Sequence, residues 1–149
     1  EELINIRKKQ NKEISGNFSK MKGKLEWPIN GRIVSRFGNQ INKELNTVTE
    51  NIGIDIESSK NESVFSVMDG IVSLITYLPG HGNIIMIDHG DNYSTVYSNI
   101  EKIIVYEEEY VSSGEKIATV STINNKGKLH FQIWKGQNKK NPESWLIKK

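Results

Sequence analysis

"NIIMIDHGDNYSTVYSNI", residues 83–100, decides the fold of this chain. Two segments rich in β-branched and aromatic residues, 83–88 and 94–99, flank Gly90, Asp91 and Asn92. Those three residue types tolerate positive φ or bond their own backbone, which is the chemistry of a reversal between antiparallel strands. The same grammar extends outward. From "LEWPINGRIVSRFG" (25–38) onward, short apolar runs are punctuated by Gly, Asn, Asp and Ser, and no helical period competes with them. Strands are expected near 31–37, 52–56, 64–67, 70–78, 83–88, 94–99, 116–120 and 128–134. "YLPGHGN" (77–83) reads as a second reversal, with His81 a solvated turn residue. His89, at a strand end, is expected to make a hydrogen bond that closes its hairpin. "FGNQINKELNTVTEN" (37–51) is polar and has neither period, so it reads as a surface loop leading into the strand that carries Asp55. The fold class is therefore all-β, a small antiparallel barrel or sandwich.

Composition bounds the rest. A chain of 149 residues supports one domain of ordinary size. Its 20 Lys and Arg nearly balance 18 Asp and Glu, for a net charge of +2, so charge alone implies no polyanion partner. No nucleic-acid motif is present. Without cysteine there is neither a disulfide framework nor a thiolate metal site, and the redox compartment stays open. Apolar runs such as "NIIMID" and "KIIVY" fall far short of the roughly 18 residues of a membrane span. The first residues have no signal-peptide core, and any targeting segment is expected outside this chain. Residues 1–22 are charged and amide-rich, with Ile14, Phe18 and Met21 at helical spacing interrupted by Gly16. They read as a short helical stub or disordered linker, the end of a coiled coil, with the domain at 23–149.

Chemistry concentrates around "GKLHFQIW" (127–134), which holds His130, one of three histidines. With it stand, in order, "WPINGRIVSRFG", "NIGIDI", "VFSVMDGIV", "HGNIIMIDHGDNYSTVYSNI", "VSSGEKIATV" and "NPESWL". Together these seven collinear blocks resemble the lysostaphin/LytM-type zinc endopeptidase domain (the duplicated hybrid motif) over residues 25–146. The resemblance implies a small antiparallel β-fold with an open groove. Zinc is held there by the His and Asp of an H-x-x-x-D block and by the second His of an H-x-H block, and two further histidines assist catalysis. Carried onto this chain, the first ligand position is Asn51, with Asp55 retained four residues later. The histidine of the "VYSNI" block is Asn99, and the H-x-H block reads Lys128, Leu129, His130.

These replacements oppose metal and hydrolysis alike. A catalytic zinc site needs three nitrogen, sulfur or carboxylate ligands, and a neutral amide is a poor substitute for imidazole. An ammonium at Lys128, on the order of 5 Å from the ion, would repel it by roughly 6 to 7 kcal/mol at an effective dielectric of about 20. Asn99 cannot accept a proton, and a Lys128 beside Asp55 stays protonated, so no general base is in place. An Asp and a His on neighbouring strands also simply hydrogen-bond, and here both readings meet: Asp55, Lys128 and His130 form a charge-compensated groove floor with no metal, no cofactor and no catalytic residue.

Within the superfamily the degenerate motifs, the polar stub and "NPESWL" resemble the murein hydrolase activator EnvC-like branch. That resemblance implies a non-enzymatic activator of an N-acetylmuramoyl-L-alanine amidase during cell division, located in the periplasm or cell envelope. It also implies control by an FtsEX-like transporter complex through a coiled coil. The partner-binding groove would then comprise Asn51, Asp55, Asn99, Lys128 and His130, flanked by Arg36, Tyr97 and Trp134. Two alternatives remain open: a peptidoglycan-binding scaffold module, and an active zinc endopeptidase with an altered site. A biotinyl- or lipoyl-carrier domain, suggested by "SVMDGIV", lacks the modified lysine beside Met68. "YEEEY" (106–110) reads as a solvated turn or a charged edge contact for a partner, and Trp27 and Trp145 as structural covers of the core.

Overall fold

The computed structural model describes residues 17–149. It is antiparallel β almost throughout, built from β1 (Arg32–Ser35), β2 (Gly38–Asn42), β3 (Thr47–Asn51), β4 (Ile54–Ser59), β5 (Ser63–Phe65), β6 (Gly70–Leu78), β7 (Gly82–Asp88), β8 (Tyr93–Glu101), β9 (Tyr110–Val111), β10 (Lys116–Val120), β11 (Thr122–Ile123), β12 (Lys126–Lys135) and β13 (Asn138–Lys140). The main sheet runs β1-β4-β12-β8-β7-β6-β9. At its far end β8 hands over to β10, pairing Thr119 with Glu101 and Val120 with Ile100, and β10 in turn pairs with β5. This second layer closes a core of Ile54, Ile56, Tyr97, Leu129, Phe131 and Ile133 from the main sheet against Val64, Ile117 and Val120. The other face of the main sheet is partly exposed: Lys128, His130 and Trp134 reach solvent, while Val96, Ser98 and Gln132 are buried.

The 83–100 hairpin forms as its sequence indicates, with Asp91 (φ 51°) and Asn92 (φ 67°) in the left-handed region. The His89 backbone N–H closes it onto the Tyr93 carbonyl at 2.9 Å. The His89 ring does something else. It is 1% exposed, with Nδ1 2.8 Å from the Asp69 carbonyl and Nε2 2.7 Å from Thr95 Oγ1. A carbonyl only accepts, so Nδ1 carries the proton. Burial pushes the His89 pKa down to about 4, against a partial rise from the Asp69 carbonyl, so the ring is neutral at pH 7 and Nε2 accepts from Thr95. With that hydroxyl proton spent, Tyr97 donates across the 3.0 Å to Thr95 Oγ1, and Val67 N–H donates to Tyr97 at 3.1 Å.

One expectation changes. Residues 37–51 are not a loop: β2 and β3 form a separate two-stranded hairpin, in register from Gly38↔Asn51 to Asn42↔Thr47. Its residues are almost all exposed, so no face is buried and the sequence carries no apolar alternation. The reading of residues 1–22 as a helical stub falls mostly on residues 1–16, outside those described. Immediately after them comes a single 3-10 turn, Phe18–Met21, whose Phe18 is fully buried. Its ring stacks on Tyr93 at 4.8 Å and meets Trp145 at 5.0 Å. Trp145 thus sits in the core, while Trp27 lies at its margin, its indole N–H donating to the Ile147 carbonyl at 2.8 Å.

Candidate functional site

Strand alternation builds the open face. On β12 the odd residues Leu129, Phe131 and Ile133 fill the core, so Lys128, His130, Gln132 and Trp134 share the opposite face. Register then places His130 opposite Asp55 on β4 and opposite Ser98 on β8, while Ser35 of β1 pairs with Asp55. Gly53 lets the chain enter β4 against β12, since a Cβ there would collide with the Phe131 carbonyl oxygen. Asn51, at the end of β3, is thereby carried over Asp55.

The polar groups satisfy one another. His130 Nδ1 lies 3.0 Å from Asp55 Oδ1, and the carboxylate is the acceptor. Asn51 turns its amide nitrogen inward, donating to Asp55 Oδ2 at 3.2 Å and to Ser35 Oγ at 3.0 Å, while its oxygen accepts the Gly53 N–H at 3.1 Å. Burial works to raise the Asp55 pKa, but the His130 hydrogen bond and charge, the Lys128 ammonium and the Asn51 amide outweigh it and hold the carboxyl below its usual value. Asn99 occupies a bulge of β8, where the pairing steps from Ile100 to Ser98, with φ 67°. It reaches across to donate to the Lys128 carbonyl at 2.6 Å. Lys128 is exposed.

The flanking residues divide. Trp134 lies on the open face, half-buried, its indole N–H donating to Gln132 Oε1 at 2.7 Å and the Lys139 ammonium 4.2 Å above its ring. Arg36 stands next to Ser35 with its side chain 77% exposed, 3.7 Å from Glu143. Tyr97 is a correction: as an odd-numbered residue of β8 it points into the core, fully buried in the His89 network, and cannot meet a partner. Sequence reasoning missed Ser35, Ser98 and Gln132, whose residue types are unremarkable and which only register brings to this face. Two surface clefts lie beside the pair and not on it. One, bounded by Arg32, Glu57, Lys60 and Lys126, opens farther along β4; the other is framed by Trp27, Ile29 and Phe65.

A zinc ion does not fit the donor set. Asn51 presents N–H groups where a ligand would present a lone pair, and His130 spends its Nδ1 proton on the one carboxylate nearby. Among the described residues no three His, Cys, Asp or Glu side chains gather as a metal site. The face is a polar floor in which Asn51, Asp55 and His130 are joined by hydrogen bonds and Lys128 is exposed.

Comparison with known proteins gives the family. The murein hydrolase activator NlpD of Salmonella dublin is 36% identical over 114 residues, covering 74% of this chain and 28% of that protein. The murein hydrolase activator EnvC of Escherichia coli is 28% identical over 134 residues, covering 89% of this chain and 31% of that protein. The chain thus spans less than a third of either activator. A zinc-containing peptidase from Vibrio cholerae shares the fold, with a TM-score of 0.71 at 24% identity over 85% of this chain and 41% of that one. Residues 49–142 match Peptidase family M23, and since that span takes in β4, β8 and β12 with their open face, the chain belongs to this family.

Proposed function

We propose that this domain is a non-enzymatic regulator that binds and activates a peptidoglycan amidase through the open face around Asp55 and His130. The observation that carries the reading is the hydrogen-bond chain from His130 Nδ1 through Asp55 to Asn51 and Ser35, which engages both oxygens of the surviving carboxylate. The names of the relatives NlpD and EnvC, both murein hydrolase activators, support a regulatory role. The floor comprises Asn51, Asp55, Asn99, Lys128 and His130, with Gln132 and Trp134 continuing it along β12 and Arg36 at its rim.

Activation acts by population shift. An inhibitory segment of the amidase docks on the floor and the amidase opens. Moving such an equilibrium from 1:99 to 99:1 requires binding the open form about 10⁴-fold better, roughly 5.5 kcal/mol of differential affinity. The setting is the cell envelope or periplasm during cell division, with upstream control by an FtsEX-like complex through a preceding coiled coil.

The test adds purified domain to an N-acetylmuramoyl-L-alanine amidase of the same organism on cell-wall substrate. A rise in amidase rate is expected. Sedimentation with cell walls and no rate change would instead make it a peptidoglycan-binding scaffold, and zinc-dependent clearing of walls by the domain alone would make it an endopeptidase.

A further inference from the structure

The main sheet ends in β7-β6-β9, yet β9 covers only the start of β6, pairing Gly70 with Val111 and Ile71 with Tyr110. Val72 adds two backbone bonds, accepting from the Glu108 N–H at 2.7 Å and donating to the Glu109 carbonyl at 2.9 Å. Beyond Val72 no strand among the described residues lies on that side, while β7 pairs with β6 as far as Leu78. Natural edge strands refuse further pairing with charges or proline. Gly70–Leu78 reads GIVSLITYL and holds neither, and its one register shift against β7, between Val72 and Leu74, lies before the uncovered stretch. Leu74, Tyr77 and Leu78 are 41%, 63% and 48% exposed. One cap comes from elsewhere: the Glu107 carboxylate accepts the Ile75 N–H at 2.9 Å. That bond shows Ile75 facing outward, and the two-residue period puts the Tyr77 backbone outward with it.

We propose that this edge accepts, as an added strand, an extended segment of another protein bearing lysine or arginine. Glu107 stands in for the carbonyl such a strand would offer to Ile75. When the incoming carbonyl takes over that N–H, the carboxylate is displaced beside the new backbone, where with Glu108 it meets the segment's cation. Charge selects the occupant. The adjoining stretch 106–110 carries three carboxylates and no cation, and pairing β6 with its counterpart in a second copy would bring two such stretches to one edge. The edge is also distinct from the proposed amidase-binding face: β6 lies three strand spacings, about 14 Å, from β12 with Lys128 and His130, and two, about 10 Å, from β8 with Asn99.

The probes are two fluorescein-labelled hexapeptides, KVTVKV and EVTVEV, with blocked termini. Anisotropy at low and high salt measures affinity, and amide exchange on the labelled protein locates the site. KVTVKV should bind in a salt-sensitive way and raise protection of the Tyr77 amide at least tenfold. The Glu107→Gln/Glu108→Gln variant, which keeps a hydrogen-bond acceptor at Ile75, should weaken it at least tenfold. Absence of KVTVKV binding, equal binding of EVTVEV, unchanged Tyr77 protection or full affinity in the double variant overturns the proposal. So does dimerisation of Glu107→Gln in sedimentation, which would make the edge a self-association site held closed by that carboxylate.

Discussion

Asn51 decides what the open face can do, because one amide replaces a lone pair with two N–H groups aimed at Asp55. Its position is nonetheless right for a ligand, a hydrogen bond from a carboxylate that also faces His130. Asn51→His should therefore bring a second imidazole to the pair and create a three-ligand set open on its fourth side. Calorimetric titration is expected to find no zinc bound to the natural protein, weak binding by Asn51→His, and at least tenfold tighter binding when Lys128→Ala is added, since the nearby ammonium opposes the ion. Equal affinity with and without Lys128 would remove charge from the explanation. His89 sets a second residue-scale expectation. Its folded pKa of about 4 lies below the ordinary value of 6.5, so the neutral ring is favoured by the fold. Its contribution is complete above pH 6.5 and is lost as pH falls through about 4, some 3 kcal/mol in all. Asp55, also held below its usual value, loses its contribution in more acid solution still. Urea unfolding between pH 7 and 4 should show this loss, and His89→Gln should flatten the slope above pH 5 while lowering stability at pH 7.

At the scale of elements, the sequence announced the longer strands that bury one face, though not the two-residue β9 with its buried Val111. Segments 70–78 and 116–120 coincide with β6 and β10, because buried Ile, Val and Ala alternate or run together there. The β2–β3 hairpin was illegible for the converse reason: its ladder is held by backbone pairing and turn residues such as Asn46 (φ 52°), with Ile41 and Val48 paired but 72% and 65% exposed. Asn99 was legible as a lost histidine but not as the left-handed residue of a bulge, which depends on the partner strand. Tyr97 was misassigned because adjacency to Asn99 in sequence is not adjacency on a face once residues alternate. The turn at Phe18–Met21 is the least legible element, four residues anchored by the Phe18 ring among Tyr93, His89 and Trp145, with Met21 packed against the core. Phe18→Ala should cost about 3 to 5 kcal/mol, the range for emptying a buried aromatic site. A fragment starting at residue 23 should lose at least as much relative to one starting at 17. Denaturant midpoints for the three proteins measure this, and an unchanged midpoint in either would show the turn to be dispensable.

For the molecule as a whole, one sheet serves two solvents, and this separates stability from recognition. Leu129 and Phe131 are fully buried, while Lys128 on the same strand is exposed. Substitutions on the two faces of β12 should therefore have opposite signatures. Leu129→Ala removes buried methyls and should cost about 2 to 5 kcal/mol, lowering stimulation only through loss of folded protein. Lys128→Glu leaves the core intact, so its effect on stability should stay within about 0.5 to 1 kcal/mol, mostly repulsion with Asp55 and Glu57. It reverses the charge at the centre of the floor, which should reduce amidase stimulation at least tenfold if the partner docks there. Stimulation measured at matched folded concentration, with thermal midpoints recorded alongside, distinguishes the two faces. A stably folded Lys128→Glu protein that stimulates fully would place the amidase contact elsewhere on the molecule, and the charge-free edge of β6 would then be the next surface to test.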